Sequence, residues 1–277
     1  MQSTKESLKQ MKNYCFLLLV LVGTVRVAAQ ARDVLIREEV DELLIAARHG
    51  EAAAQYNIGM CYIYGHGVMK DAEEAVKWLK KAAGQGHTQA QYNLGVCYQK
   101  GQGVELDYVE AMKWFSLAAE AGDTDAIYNL GSCYMNGEGT AQDTERGMQL
   151  YEKAAADGHL KSIRMLGDCY LFGLGVTKDA KKALRWYREA AEMGDADTQY
   201  ELGFMYFTGN GVKKDEETAV RWFKKAAEAG NALAQYQLGV CLEQGIGVAK
   251  NINEATKWYE KAAKQGHEEA KNAKNYK

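Results

Sequence analysis

The 277-residue chain contains no proline. Its breaks must fall to other residues, and 28 glycines are there to make them. Common chemical motifs are missing as well. There is no C-x-x-C and no H-x-x-x-H, the short spacings from which zinc sites are often built. The five serines fall in neither S-x-x-K nor G-x-S-x-G, so no serine nucleophile motif is present. The longest apolar run, Cys15 to Val25 ("CFLLLVLVGTV"), has eleven residues, too few for the roughly 20 of a membrane helix. An excess of one charge is lacking too, with 34 Lys and Arg against 37 Asp and Glu. No basic stripe is available to displace counterions from a nucleic acid. These absences point away from an enzyme, a metal site, a cofactor and a nucleic-acid partner.

What the chain does have is a repeat. Glycines at 50, 86, 122, 158, 194, 230 and 266 stand 36 residues apart without a slip. They open six full repeats, 50–85, 86–121, 122–157, 158–193, 194–229 and 230–265. Such self-similarity is the signature of stacked supersecondary units. In 86–121 the apolar residues Ala90, Leu94 and Cys97/Tyr98 recur at helical spacing, which predicts a first helix from about Thr88 to Gln99. "GQGV" breaks it. A second helix is expected from about Asp107, with Ala111, Met112, Trp114, Phe115, Ala118 and Ala119 as its apolar stripe. The G-x-G of each turn lacks the third glycine and the preceding strand of a dinucleotide fingerprint. It is punctuation.

The start of the second helix is marked by Asp71, Asp107, Asp143, Asp179, Asp215 and Asn251, short acceptors suited to an N-cap. Glu74, Glu110 and Glu254 three residues on give capping-box spacing. A glycine recurs inside the first helix (Gly59, Gly95, Gly131, Gly167, Gly203, Gly239), which implies close backbone approach. Trp78, Trp114, Trp186, Trp222 and Trp258 share one position, and Leu79, Phe115, Tyr151, Tyr187, Phe223 and Tyr259 the next. One hairpin cannot bury that face alone; stacked neighbours can. The fold expected is therefore all-α, an α/α superhelical solenoid of six helix-turn-helix repeats. Residues 32–49 form an N-terminal capping helix and 266–277 a C-terminal capping helix and tail, both more polar than the repeats.

The first 31 residues read as a signal peptide. Lys5, Lys9 and Lys12 precede the apolar run, and small residues at Ala29 and Ala31 offer cleavage sites. Translation from Met11 would give a complete signal start as well. The mature chain is expected to be exported, periplasmic or extracellular, without a stable membrane anchor. Tethering by an uncleaved segment is the alternative.

The unit A-x-Y-x-L-G-x-x-Y-x-x-G-x-G-V-x-x-D-x-x-x-A-x-x-W-Y-x-x-A-A-x-x-G resembles the Sel1-like repeat family, relatives of the tetratricopeptide repeats. The likeness runs from Arg37 to about Ala273. The 34-residue tetratricopeptide unit has the wrong period and usually carries a proline. The resemblance implies an adaptor or scaffold in protein complexes and brings no catalytic residues. A secreted, cysteine-rich branch of the family has two cysteines per repeat. Here there is one, at Cys61, Cys97, Cys133, Cys169 and Cys241, with Met205 in the fifth repeat. Equivalent positions of packed helices lie ~9–10 Å apart, and a disulfide needs Cα atoms within about 7 Å. Five free thiols are expected, with Cys15 leaving in the signal segment.

The histidines (His49, His66, His87, His159, His267) fall at repeat corners expected to face solvent. Charge is uneven: repeat 122–157 has two basic and seven acidic residues, and 158–193 seven basic and four acidic. Either a solvated face or a charged docking patch would show this. First-helix positions one step off the core stripe vary between repeats and are expected to line a concave face. The candidate partner-binding residues are Asn57, Met60, Asn93, Val96, Asn129, Ser132, Met165, Asp168, Phe172, Glu201, Phe204 and Gln237. The amides of Asn57, Asn93 and Asn129 could grip a peptide backbone, while Met60, Val96, Phe172 and Phe204 could anchor apolar groups. The expected partner is a protein or peptide. A cell-wall or glycan binder, or a β-lactamase-like enzyme of the secreted Sel1 type, are the alternatives.

Overall fold

The computed structural model describes residues 39–274, in which every regular element is an α-helix. The predicted signal segment and the start of the N-terminal cap lie outside the described residues. Helix α1 (39–48) precedes α2 (Ala52–Tyr64), α3 (Ala72–Gly84), α4 (Thr88–Lys100), α5 (Tyr108–Glu120), α6 (Thr124–Asn136) and α7 (Thr144–Ala156). Then follow α8 (Leu160–Phe172), α9 (Ala180–Glu192), α10 (Ala196–Thr208), α11 (Glu216–Glu228), α12 (Ala232–Gln244), α13 (Ile252–Lys264) and α14 (Glu268–Lys274). Even numbers from α2 to α12 are first helices and odd numbers from α3 to α13 second helices of the six repeats.

The chain forms two compact units, one up to Ala118 and one from Ala119 onward. In the first, α2 packs on α3 and α3 on α4; in the second, each helix from α6 to α14 packs on the next. This is the arrangement of an α/α solenoid. The core of each repeat is built where the sequence stripe placed it. Ala75, Leu79, Ala82 and Leu94 are fully buried in the first unit, and Ala183, Ala190 and Leu202 in the second.

The helical glycines make room for a ring. A Cβ at Gly95 would stand 2.6 Å from Phe115, at Gly131 2.9 Å from Tyr151, and at Gly203 2.7 Å from Phe223. Where Leu79 replaces the ring, the corresponding distance from Gly59 is 3.1 Å. The second turn glycine seats one repeat on another. A Cβ at Gly103, Gly211 or Gly247 would collide with the carbonyl of Ala72, Ala180 or Glu216, at the start of the preceding second helix.

The predicted Asp and Asn caps are made. Asp71, Asp143, Asp179, Asp215 and Asn251 accept backbone N–H bonds from the first turn of their helices, and Asp107 from Val109 and Glu110. The reciprocal half of the capping box is not. Glu74 and Glu110 turn outward to Lys77 and Lys113, each at 2.9 Å. Their expected donor is already used, because the N–H of Asp71 donates to Tyr62 O and that of Asp107 to Tyr98 O.

The histidine expectation holds for His49 and His66, which are exposed, and is corrected for the other three. His87, His159 and His267 are N-caps of α4, α8 and α14, accepting backbone N–H groups at Nδ1 over 3.3–3.4 Å. Each packs on the tyrosine one repeat earlier, Tyr56, Tyr128 and Tyr236, with centroids 4.7, 5.4 and 4.6 Å away. The side chains of His159 and His267 are only 10% exposed. A glutamine adds a tie between successive helices that spacing did not reveal. Gln55, Gln91, Gln199 and Gln235 donate from Nε2 to the carbonyls of Ala47, Ala83, Ala191 and Ala227 at 3.0–3.2 Å.

The five repeat cysteines are free thiols, four buried and Cys61 half-buried. Burial pushes Cys97, Cys133, Cys169 and Cys241 up to about 11. No helix among the described residues is long and apolar enough to cross a membrane.

Candidate functional site

All twelve candidate residues lie on first helices, and their surroundings differ. Asn57, Phe172 and Phe204 are exposed, and the others half-buried. In the first unit, Met60 packs on the core cluster around Leu79 and Leu94. The Asn93 amide donates to Gln89 O on its own helix at 2.9 Å and to Tyr56 Oη of the preceding repeat at 3.5 Å, so its donors are turned inward. Val96 is half-buried on the same helix. In the second unit, Met165 packs on the cluster around Leu166 and Cys169. The side chains of Asn129 and Gln237 make no hydrogen bond among the described residues.

Two candidates hold the hairpin together. The Ser132 hydroxyl lies 3.0 Å from Tyr151 Oη, and Asp168 accepts from Tyr187 Oη at 2.5 Å. Where the second helix carries a phenylalanine instead (Phe115, Phe223), the position of Ser132 and Asp168 holds Val96 and Phe204. The residue at this position thus matches the hydroxyl across the hairpin in the third and fourth repeats, though not in the sixth. Tyr259, opposite Val240, sends its hydroxyl to Glu243 at 2.8 Å.

The structure brings three candidates together. Asp168 and Phe172 of α8 and Glu201 of α10 line a groove of about 290 Å³ in the second unit, which α12 completes with Leu233. Arg164, Tyr200 and Asp197 join the lining. Asp197 Oδ2 accepts from Arg164 Nη1 at 3.1 Å and its Oδ1 from Asn231 Nδ2 at 2.8 Å. Arg164 also lies 3.9 Å from Asp195. The Glu201 carboxylate makes no hydrogen bond or ion pair among the described residues. Burial first, and then the negative charge of Asp168, push its carboxyl above the usual range. Burial likewise raises the Tyr187 phenol, and its bond to Asp168 raises it further.

Arg164 was not among the candidates, although one column of the repeat marks it. Tyr56, Tyr92, Tyr128, Tyr200 and Tyr236 occupy that position in the other five repeats. Three of these tyrosines pack on a cap histidine; Arg164 faces the acidic cap Asp195 instead. The uneven charge is partly used inside the array. Asp125 of one repeat meets Lys161 of the next at 3.2 Å and His159 at 3.3 Å. Among the described residues, no three His, Cys, Asp or Glu side chains are grouped to hold a metal ion.

Hairpins stacked in series, with variable side chains gathered on the first helices, define a helical repeat scaffold. Six consecutive stretches, 52–87, 88–123, 124–159, 160–195, 196–231 and 232–267, match the Sel1 repeat, and the chain belongs to the Sel1-repeat family. It is similar to c5321, a protective antigen present in uropathogenic Escherichia coli strains displaying an SLR fold. The two are 40% identical with a TM-score of 0.79, over 86% of this chain and 51% of that one. This chain therefore spans about half the length of c5321. It is also similar to a Sel1 repeat protein from Oxalobacter formigenes, at 35% identity and a TM-score of 0.69, over 82% of this chain and 91% of that one. No curated protein matches the chain. Sel1 repeat solenoids generally mediate protein–protein interaction and act as non-catalytic scaffolds.

Proposed function

We propose that this chain is an exported adaptor that holds a partner protein or peptide along its first helices. The observation that carries this reading is the groove in the second unit. Variable residues from three successive repeats, Asp168 and Phe172, Glu201, and Leu233, meet in one depression. Scaffold residues at the glycine, alanine and ring positions recur from repeat to repeat. These residues do not, as befits a surface shaped for a particular partner. Exposed apolar side chains in a polar setting also favour an interaction site. Export rests on the sequence of residues 1–31, and the likeness to a protective antigen accords with it.

A photo-crosslinking amino acid placed at Phe172, and separately at exposed Lys224 on α11, tests the binding reading in native extracts. The expected result is a discrete adduct from position 172 alone. Equal adducts from both positions, or none from either, would overturn the groove assignment. Cell fractionation with the N-terminal mass of the recovered chain tests export. A periplasmic or extracellular product beginning at Gln30 or Arg32 is expected. A full-length chain in the cytoplasm would rule export out.

A further inference from the structure

We propose that the groove between α8, α10 and α12 receives the basic side chain, arginine or lysine, of a partner polypeptide whose neighbouring apolar residue lies against Phe172 and Leu233. The inference rests on the adaptor reading and deepens it.

Charge decides the occupant. The lining holds three carboxylates, Asp168, Asp197 and Glu201, against one guanidinium, Arg164. Arg164 is committed to Asp197, whose other oxygen is taken by Asn231. Asp168 keeps one oxygen bonded to Tyr187 and has no cation within ion-pair distance among the described residues. Glu201 has no partner of either kind there. Arg164 acts on both carboxylates at longer range, but neither Asp168 nor Glu201, on adjacent first helices of a partly desolvated groove, has a cation in contact among the described residues. A buried or half-buried charge of this kind is unfavourable until it is paired. One planar guanidinium or one ammonium would pair both, and charge-assisted hydrogen bonds are stronger than neutral ones.

The walls decide what the cation is attached to. Phe172 is 57% exposed and Leu233 49% exposed. An apolar wall beside an acidic floor suits an amphipathic ligand, such as a basic residue with its aliphatic stem and an apolar neighbour. The volume of about 290 Å³ is near the lower bound of ~300 Å³ for small-ligand sites, which suits one long side chain.

The test selects random twelve-residue peptides, displayed on phage, against the intact protein. One selected peptide is then labelled with fluorescein and titrated by anisotropy beside its arginine-to-citrulline form. Both forms are measured on the parent and on Glu201→Gln, with circular dichroism confirming that the variant keeps its helices. The expected consensus contains a basic residue next to an apolar one. Citrulline, or Glu201→Gln, should each weaken binding by about tenfold, and the two together little further. A charge swap adds an independent arm: Glu201→Arg should bind the peptide carrying glutamate in place of its arginine. A consensus without basic residues, or binding indifferent to Glu201→Gln, would overturn the cation pocket and leave the adaptor reading standing. Failure to enrich any peptide, together with no crosslink from position 172, would overturn both.

Discussion

The ring of Phe223 lies so close over Gly203 that a Cβ on the glycine would stand 2.7 Å from ring carbon Cδ1. The two residues belong to opposite helices of one hairpin, and the same pairing recurs along the chain. Gly203→Ala should therefore force the ring or the helix to shift. A destabilisation of about 1–3 kcal/mol is expected from overpacking, outweighing the gain of up to ~1 kcal/mol in helix propensity. Gly59→Ala is the internal control. It faces Leu79 at 3.1 Å, a flexible side chain that can yield by a few tenths of an ångström. Its effect should be near neutral. Urea or thermal melts of the two variants check the contrast, and equal losses would refute it.

Gln199 exposes a missing partner. Its Nε2 ties α10 to Ala191, but its Oε1 is buried without a hydrogen bond. Equivalent acceptors are satisfied elsewhere: Gln85 donates to Gln55 Oε1 at 2.7 Å, and Gln265 to Gln235 Oε1 at 2.9 Å. Ala229 stands where those donors would be in the fifth repeat. Ala229→Gln should stabilise the chain by about 0.5–1.5 kcal/mol. A rise in melting temperature checks it, and Gln265→Ala should move the other way.

The thiols should react in two classes. With Cys97, Cys133, Cys169 and Cys241 at about 11, about one in a thousand of each is thiolate at pH 8, and the thiolate is the reactive form. Cys61 is half-buried and its thiol is raised by the same desolvation. A thiol reagent on the native chain lacking residues 1–31 should modify Cys61 first and the other four only on unfolding. Release of all five at one rate would contradict the burial pattern, and a mass indicating a bridge would contradict the free thiols.

Acid should loosen the junction between the third and fourth repeats. Burial acts to raise the Asp125 carboxyl, but the hydrogen bonds from Lys161 and His159 outweigh it and hold the group below its ordinary value. A carboxyl lowered by folding contributes stability above its unfolded value, and that contribution is lost as pH falls through the folded one. The pair is largely exposed, so the contribution is modest, about 0.2–1 kcal/mol. Asp125→Asn should be less stable than the parent by this amount near neutrality. The difference should close as the pH falls below the ordinary carboxylate range. A constant difference from neutral pH to pH 2.5 would sink the assignment.

Much of this architecture could be read before any coordinate was known, because it is set by positions that recur. Glycines, paired alanines, rings and Asp caps repeat every 36 residues, and the helices start and stop where those residues stand. Relations between repeats were harder to see. His159 looks like a solvent-facing corner until its Nδ1 is found on the backbone and its ring on Tyr128. The Gln199 tie joins residues eight apart across a helix break, a spacing no single-helix periodicity reveals. The groove followed the same pattern. Asp168, Phe172 and Glu201 could be named from their helix face, but Arg164 lies one step away from that face. Only its break in the tyrosine column marked it. Asn93 illustrates the converse: its type suggested a peptide grip, yet its amide folds back to Gln89.

The second turn glycine at 103, 175, 211 and 247, pressed against the first residues of the second helix one repeat before, limits how such a chain can change size. At Gly211 and Gly247 the neighbouring carbonyls leave no space for a Cβ, and an added residue in the turn would lift the contact from its seat. A one-residue insertion in such a turn should therefore destabilise the array. Adding or removing a whole block of 36 residues keeps every such seat in register, which gives engineers a natural cut point.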